Sequence, residues 1–178
     1  YIINTVPDSC RYAKEIAEEM GLNVMVLTTY LEGDSKSTGT CLASIAREIQ
    51  NNQSPIPPPC VILTSGETTA LILNNNEIKG HGGPSQELVT SFAITAEKIP
   101  GACVLSIDSE GTDGTTVAAG GITDSTSLHA AHNKGLDMMK ALREHATGEL
   151  LAAIGDQVIT GNTGTNLCDF NILYVPEA

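Results

Sequence analysis

Three short stretches of the chain carry the residue types that chemistry needs. In the first, LSIDSEGTDGTTVAAGG over Leu105–Gly121, the apolar run Ala102–Ile107 ends in Asp108, and Glu110 and Asp113 follow. Carboxylates at the end of a strand can hold a divalent ion such as Mg2+, here through Asp108 and Asp113. Asp108, Glu110 or Asp113 can equally accept a proton from an attacking hydroxyl. The same residues also suit Asx turns that satisfy loop backbone, and Asp124 reads as structural in that way. The second stretch, GHGGPSQE over Gly80–Glu87, sets Gly82 and Gly83 ahead of Pro84, a residue tolerated at the first position of a helix. The N–H groups of Ser85 and Gln86 would then face an approaching phosphate, although a tight turn into a capped helix fits as well. The third, TGNTGTN over 160–166, offers the hydroxyls of Thr160, Thr163 and Thr165, the backbone of Gly161 and Gly164, and the amide of Asn166. It grips a ligand or is a long hairpin connection. Glu67 is a turn residue or a further site carboxylate, and His81 is a candidate only.

The elements around these loops place them together. A helix capped by Asp8 or Ser9, with apolar Tyr12, Ile16 and Met20 four apart, stops at Gly21 and leads to a buried strand at Val24–Thr28. A second helix over Thr38–Gln50 then precedes the proline-rich run Asn51–Pro59, which is a domain boundary or a surface loop. Strand, helix, strand, helix is the pattern of a parallel sheet with crossover helices. Cys60–Thr64 and Thr69–Leu73 read as two strands joined by a short turn, which demands an antiparallel hairpin. A polar connection at Asn74–Glu77 follows, then a helix with apolar Leu88, Phe92, Ala96 and Ile99. Short helices at Ser127–Asn133, Leu136–His145 and one capped by Thr147 precede short strands at Gln157–Thr160 and Asn171–Val175. The fold class is therefore α/β, layered α/β/α with a mixed parallel and antiparallel sheet. Ligands of such sheets sit beyond the carboxyl ends of the strands, and the three loops are expected to meet there at one anionic-ligand site.

Composition narrows the function. The chain has 178 residues and a net charge of −12, with no Trp. Long-range repulsion from a polyanion and the scarcity of stacking rings argue against nucleic acid as a partner. No apolar run is long enough to span a bilayer. The start Tyr1–Asn4 is a short apolar lead-in without an initiating Met or a signal-peptide pattern, which suggests an internal fragment. Five scattered cysteines without a CxxC pair fit a reducing, cytoplasmic compartment. Phosphoryl transfer needs cations around the moving charge, yet Lys79 is the only basic residue near the loops in sequence.

The set formed by Ser65-Gly-Glu-Thr-Thr69, Gly82-Gly83 with Gln86-Glu87, Ser109-Glu-Gly-Thr-Asp-Gly114, Ala118–Gly121 and Thr160–Asn166 with Asp169 resembles the glycerate 2-kinase family. The match is to its C-terminal segment, called the MOFRL domain. The resemblance implies that 60–178 is that domain and that 1–59 closes the preceding one. It implies an enzyme that moves the ATP γ-phosphate to the 2-hydroxyl of glycerate with a divalent metal. It also implies an absent N-terminal portion carrying a catalytic lysine, so that the fragment alone is inactive; a homodimer is a further expectation. Family members commonly have an arginine where this chain has Pro84. Some relatives carry a hydroxypyruvate reductase label, for which the chain shows no dinucleotide fingerprint; a binding module without chemistry is the other alternative. Asp113→Asn is expected to cut turnover by about 10²–10⁴ with little loss of stability.

Overall fold

The computed structural model describes residues 5–74 and 78–177. The lead-in at 1–4 and the core of the polar connection at 75–77 lie outside the described residues. The described chain runs α1 (Val6–Glu19), β1 (Asn23–Leu31), α2 (Ser35–Asn52), β2 (Cys60–Gly66), α3 (Pro84–Ala96), β3 (Cys103–Asp108), β4 (Gly120–Asp124), α4 (Ser127–Asn133), α5 (Met138–Arg143), α6 (Thr147–Ile154), β5 (Gln157–Val158) and β6 (Asp169–Val175). Six strands form one sheet in the order β1-β2-β6-β3-β4-β5. β1 and β2 are parallel, and every other pairing is antiparallel. The mixed sheet of an α/β fold is thus as expected, but its antiparallel part arises differently.

Among the described residues no hairpin follows β2. After Gly66 the chain turns toward β1, where Glu67 N–H donates to Leu31 O at 2.8 Å and Thr69 N–H to Gly33 O at 2.9 Å. Thr69–Leu73 makes only an isolated bridge between Thr69 and Asp34, and Leu71, Ile72 and Leu73 are exposed. The antiparallel neighbour of β2 is β6, the last strand, paired from Cys60↔Val175 to Gly66↔Asp169. β6 also pairs with β3 and so fills the centre of the sheet.

Alternation along β2 sends Cys60 and Ile62 into a core with Leu42, Ala46 and Ile49 of α2 and Leu88 and Phe92 of α3. Val61 and Leu63 are buried on the other face, where α1 packs on β1 and β2. The cap of α1 is Thr5, with Asp8 closing a capping box, one turn earlier than Asp8 or Ser9 would have set it. Its inward residues are the small Cys10 and Ala17, which let the helix approach the sheet closely. Tyr12, Ile16 and Met20 instead point outward, 51%, 60% and 72% exposed. Residues 23–52, from the segment assigned to a preceding domain, belong to the same sheet and the same helical layer as the remainder. α6 ends at Gly155 in the left-handed region as expected, while Thr147 sits inside the helix without a side-chain cap bond.

Candidate functional site

The inner face of the three central strands changes character along its length. Ile62, Leu173 and Val104 form an apolar row across β2, β6 and β3. One step toward the carboxyl ends of β2 and β3 the row is Thr64, Asn171 and Ser106, each buried, and none of their side-chain polar atoms has a hydrogen-bond partner among the described residues. The next row is Gly66, Asp169 and Asp108, so two carboxylates stand directly opposite each other on neighbouring strands. Like charges in that relation repel. Asp169 is 5% exposed, and among the described residues Thr68 N–H, 3.4 Å from Oδ2, is its one amide donor. Burial, with repulsion from Asp113, Asp108 and Glu67, pushes its carboxyl up to about 7 despite that bond. Asp108 is less enclosed, and its Oδ1 accepts from Glu110 N–H at 2.8 Å.

The three loops meet at this edge. Gly82 O accepts from Thr115 N–H at 3.1 Å, joining the first loop to the central one. Thr163 N–H donates to Glu110 O at 3.1 Å and Leu167 N–H to Ser109 Oγ at 2.6 Å, joining the third. The Thr163 hydroxyl also bonds Ser109 O, and the Asn166 amide bonds Glu110 Oε1. Thr160, Gly161, Gly164 and Thr165 remain exposed around these contacts. Glu67 faces a separate cleft of about 540 Å³ between the ends of β1 and β2, which Gly33, Gly66 and Cys168 also line. His81 pairs with Glu149 at the surface, and Asp124 caps the turn at Thr126, as a structural residue would.

The anion expected at the start of α3 comes from within the chain. Asp113 Oδ1 accepts from Ser85 N–H at 3.1 Å, and Oδ2 accepts from Gln86 N–H and from Gln86 Nε2, both at 2.9 Å. This carboxylate is 1% exposed. Burial pushes it up to about 6 even though the amides of Gln86 and Ser85 favour its charged form. The sequence reading offered Asp113 as metal ligand and base and Ser85 and Gln86 as phosphate donors. The geometry commits these groups to one another, because N-cap Gly83 has no side chain to cap the helix. A Cβ on Gly83 would lie 2.4 Å from Asp113 Cγ, so Gly83→Ala has to push the two loops apart. A loss of about 1–3 kcal/mol in urea unfolding is expected. An unchanged midpoint would show that the loops are not locked.

Sequence reasoning passed over Asp169 except as part of a resemblance. Its signal was weak: an Asp opening an alternating strand. Only the antiparallel insertion of β6 brings its amino end to the carboxyl ends of β2 and β3. The cation deficit is also smaller in space than in sequence, since Lys36 of α2 lies 3.7 Å from Glu87 Oε2 on α3.

Against this geometry stand the comparisons with known proteins. The MOFRL family model matches residues 60–169. The chain belongs to the MOFRL family. It is 37% identical over 175 residues to a glycerate 2-kinase of Pyrococcus horikoshii, covering 98% of this chain and 39% of that one. Identity to a D-glycerate 2-kinase of Thermotoga maritima is 36% over 172 residues, covering 97% and 40%. The crystal structure of a Pyrococcus horikoshii OT3 protein superposes with a TM-score of 0.93 at 36% identity, over 100% of this chain and 40% of that one. That of a Thermotoga maritima glycerate kinase gives 0.90 at 34% identity, over 98% and 41%. Relatives from Agrobacterium vitis, 34% and 32% identical over 163 residues, carry a hydroxypyruvate reductase name. The MOFRL chain therefore spans about two fifths of the length of these relatives. Among its described residues no helix is long and apolar enough to cross a membrane, and the five cysteines are free.

Proposed function

We propose that the chain is the C-terminal part of an ATP-dependent glycerate 2-kinase, transferring the γ-phosphate to the 2-hydroxyl of D-glycerate at the edge where the three loops meet. The observation that carries this reading is the identity to two glycerate 2-kinases over nearly all of the chain. The site chemistry agrees with it. The acidic row, the loop hydroxyls and the exposed backbone of the third loop can bind and orient a charged substrate and a nucleotide, but they supply little positive charge. Phosphoryl transfer depends on such charge. The cations missing here are assigned to the part of the relatives that this chain does not span and to a divalent metal.

Among the described residues no three His, Cys, Asp or Glu side chains form a ready metal cage. Asp108 and Asp169 nevertheless fit Mg2+, which takes one or two carboxylates and completes its shell with water and phosphate oxygens. The unpartnered, buried oxygens of Asn171 and Ser106 one row below supply hard neutral ligands of the same kind. Bound there, the ion would neutralise phosphate charge. Asp113, with both oxygens engaged, fixes the helix beside the site and is not assigned to the metal. Glu110 and the third loop act as one unit that lines the opening, with the exposed Thr165 hydroxyl and Gly161 N–H open to a phosphate and the Thr160 hydroxyl turned onto Gly161 O.

Two coupled assays on the full-length protein test the reading. D-glycerate is expected to drive ADP release, with no NAD(P)H oxidation by hydroxypyruvate, in keeping with the absence of a dinucleotide fingerprint. Residues 1–178 alone are expected to fold and to release no ADP. Hydroxypyruvate-dependent NAD(P)H oxidation without ADP release would replace the kinase by the reductase.

A further inference from the structure

Just inside the first loop lies a cavity of about 260 Å³. Ile72 and Ile78 line it with apolar surface, and Gly82, Thr115, Glu87 and His145 line it as well. Both of these ionisable side chains are more than nine-tenths buried, with 2% and 8% of the side-chain surface exposed. His145 Nδ1 is 2.5 Å from Glu87 Oε1, and Lys36 Nζ is 3.7 Å from Glu87 Oε2. Burial pushes the Glu87 carboxyl up, and the contacts with His145 and Lys36 oppose that.

An ionised Glu87, which the Lys36 ammonium favours, accepts from ring Nδ1–H, so in the neutral ring Nε2 is the acceptor; among the described residues Nε2 has no protein partner. A bare acceptor in a largely apolar cavity is complemented by a hydroxyl. The backbone adds a second sign. His145 follows the last turn of α5 with φ of 50°, in the left-handed region where glycine is the usual occupant. A bulky residue persists there only where the surroundings over-determine it, and here it brings the ring onto Glu87.

We propose that this cavity receives the small hydroxy acid that accepts the phosphoryl group, and that His145 Nε2 takes the proton of its hydroxyl. The assignment rests on the kinase reading and deepens it. In the step, the hydroxyl O–H bond breaks and its proton passes to Nε2, while the same oxygen bonds to the γ-phosphorus of ATP. The bond from that phosphorus to the β–γ bridging oxygen breaks, and its electron pair leaves with ADP. Glu87 is a positioning residue that fixes the tautomer and the orientation of the ring, while the Thr115 hydroxyl orients the acid at the rim. The size agrees: the cavity has room for a three-carbon acid and none for a nucleotide.

The test uses the full-length protein and D-glycerate as the probe. In long-range proton–nitrogen spectra of the histidine rings, D-glycerate without nucleotide should shift the Nε2 signal that His145→Gln removes. The same variant should lose about 10²–10⁴ in kcat, the usual worth of a general base, with the KM for ATP unchanged. Glu87→Gln should fall between the two and change the tautomer signal. If His145→Gln does not fold, Thr115→Val decides: the KM for D-glycerate rises about tenfold, the loss of one hydrogen bond, at constant KM for ATP. Calorimetric binding of D-glycerate with an unmoved Nε2 signal, full kcat in His145→Gln, or an unchanged KM in Thr115→Val overturns the proposal and leaves the kinase reading standing. A wild-type protein that neither binds D-glycerate nor releases ADP overturns both.

Discussion

Replacing Asp113 by Ala lowers the unfolding free energy by about 2–4 kcal/mol, the range expected when a buried acceptor with several donors is lost. Three donors converge on its two oxygens, from the backbone of Ser85 and Gln86 and the side chain of Gln86. Alanine strands the two backbone donors in an interior that water does not reach, while Gln86 Nε2 keeps its bond to Thr116 Oγ1 at 2.8 Å. Asparagine keeps one acceptor and turns a competing donor toward the others, so it should cost about half as much. Burial already weighs against the charged form, as its rise to about 6 shows, which keeps the expected loss below that of an unstrained ion pair. Urea titration gives the free energies, and amide exchange at 85–87 locates the loss. An unchanged midpoint for Asp113→Ala would mean that α3 starts without this carboxylate. The expectation that a carboxylate among glycines adds little stability is reversed by its burial.

Asp169→Asn is expected to act in the opposite direction and to depend on pH. In the folded chain the carboxyl is raised from 3.8 to about 7. The native state therefore binds a proton more tightly than the unfolded chain, and protonation contributes stability below about pH 4 that is lost as pH rises through 7. Asp113, raised to about 6, adds a loss of the same sign over the lower part of that window. Asparagine keeps a neutral side chain at every pH and retains an acceptor for Thr68 N–H. The variant should match the wild type below about pH 4 and exceed it by about 1–4 kcal/mol at pH 8, the scale set by the raised carboxyl. Melting curves at pH 4 and pH 8 in a chelator decide it, the chelator removing any divalent ion that would stabilise the charged wild type. A difference independent of pH, or one that shrinks toward pH 8, would show that Asp169 is ionised without cost.

Much of this was legible in residue order. The parallel start, the helix after Gly82-Gly83 and the strand ending at Asp108 follow from periodicity and punctuation, and the loops' polar content announced their convergence. What escaped has a common cause: information that lies across the chain rather than along it. The partner of β2 is a strand about a hundred residues downstream, so a nearby apolar run, Thr69–Leu73, was the economical but wrong choice. The outward turn of Tyr12, Ile16 and Met20 follows from the small residues Cys10 and Ala17 winning the close face, a decision made by packing. Asp113 and the start of α3 looked like two halves of an open site because each advertised unsatisfied groups. Nothing local says that they satisfy each other. Glu87, Lys36 and His145 come from three separate elements and carry no motif at all.

The central position of β6 also sets the order in which this body can assemble. During synthesis β1 and β2 emerge early, and β3, β4 and β5 later, yet no ladder joins the two groups until β6 is made. Up to that point the nascent chain exposes two unpaired strand edges, on β2 and on β3, which invite pairing with other chains. The acidic row is split in the same way, since Asp169 arrives with the keystone strand. A polypeptide stalled or cleaved before residue 169 therefore lacks more than a terminal segment: it is two half-sheets with no shared edge, a substrate for chaperones and proteases. The acidic row becomes complete in the same event that closes the fold.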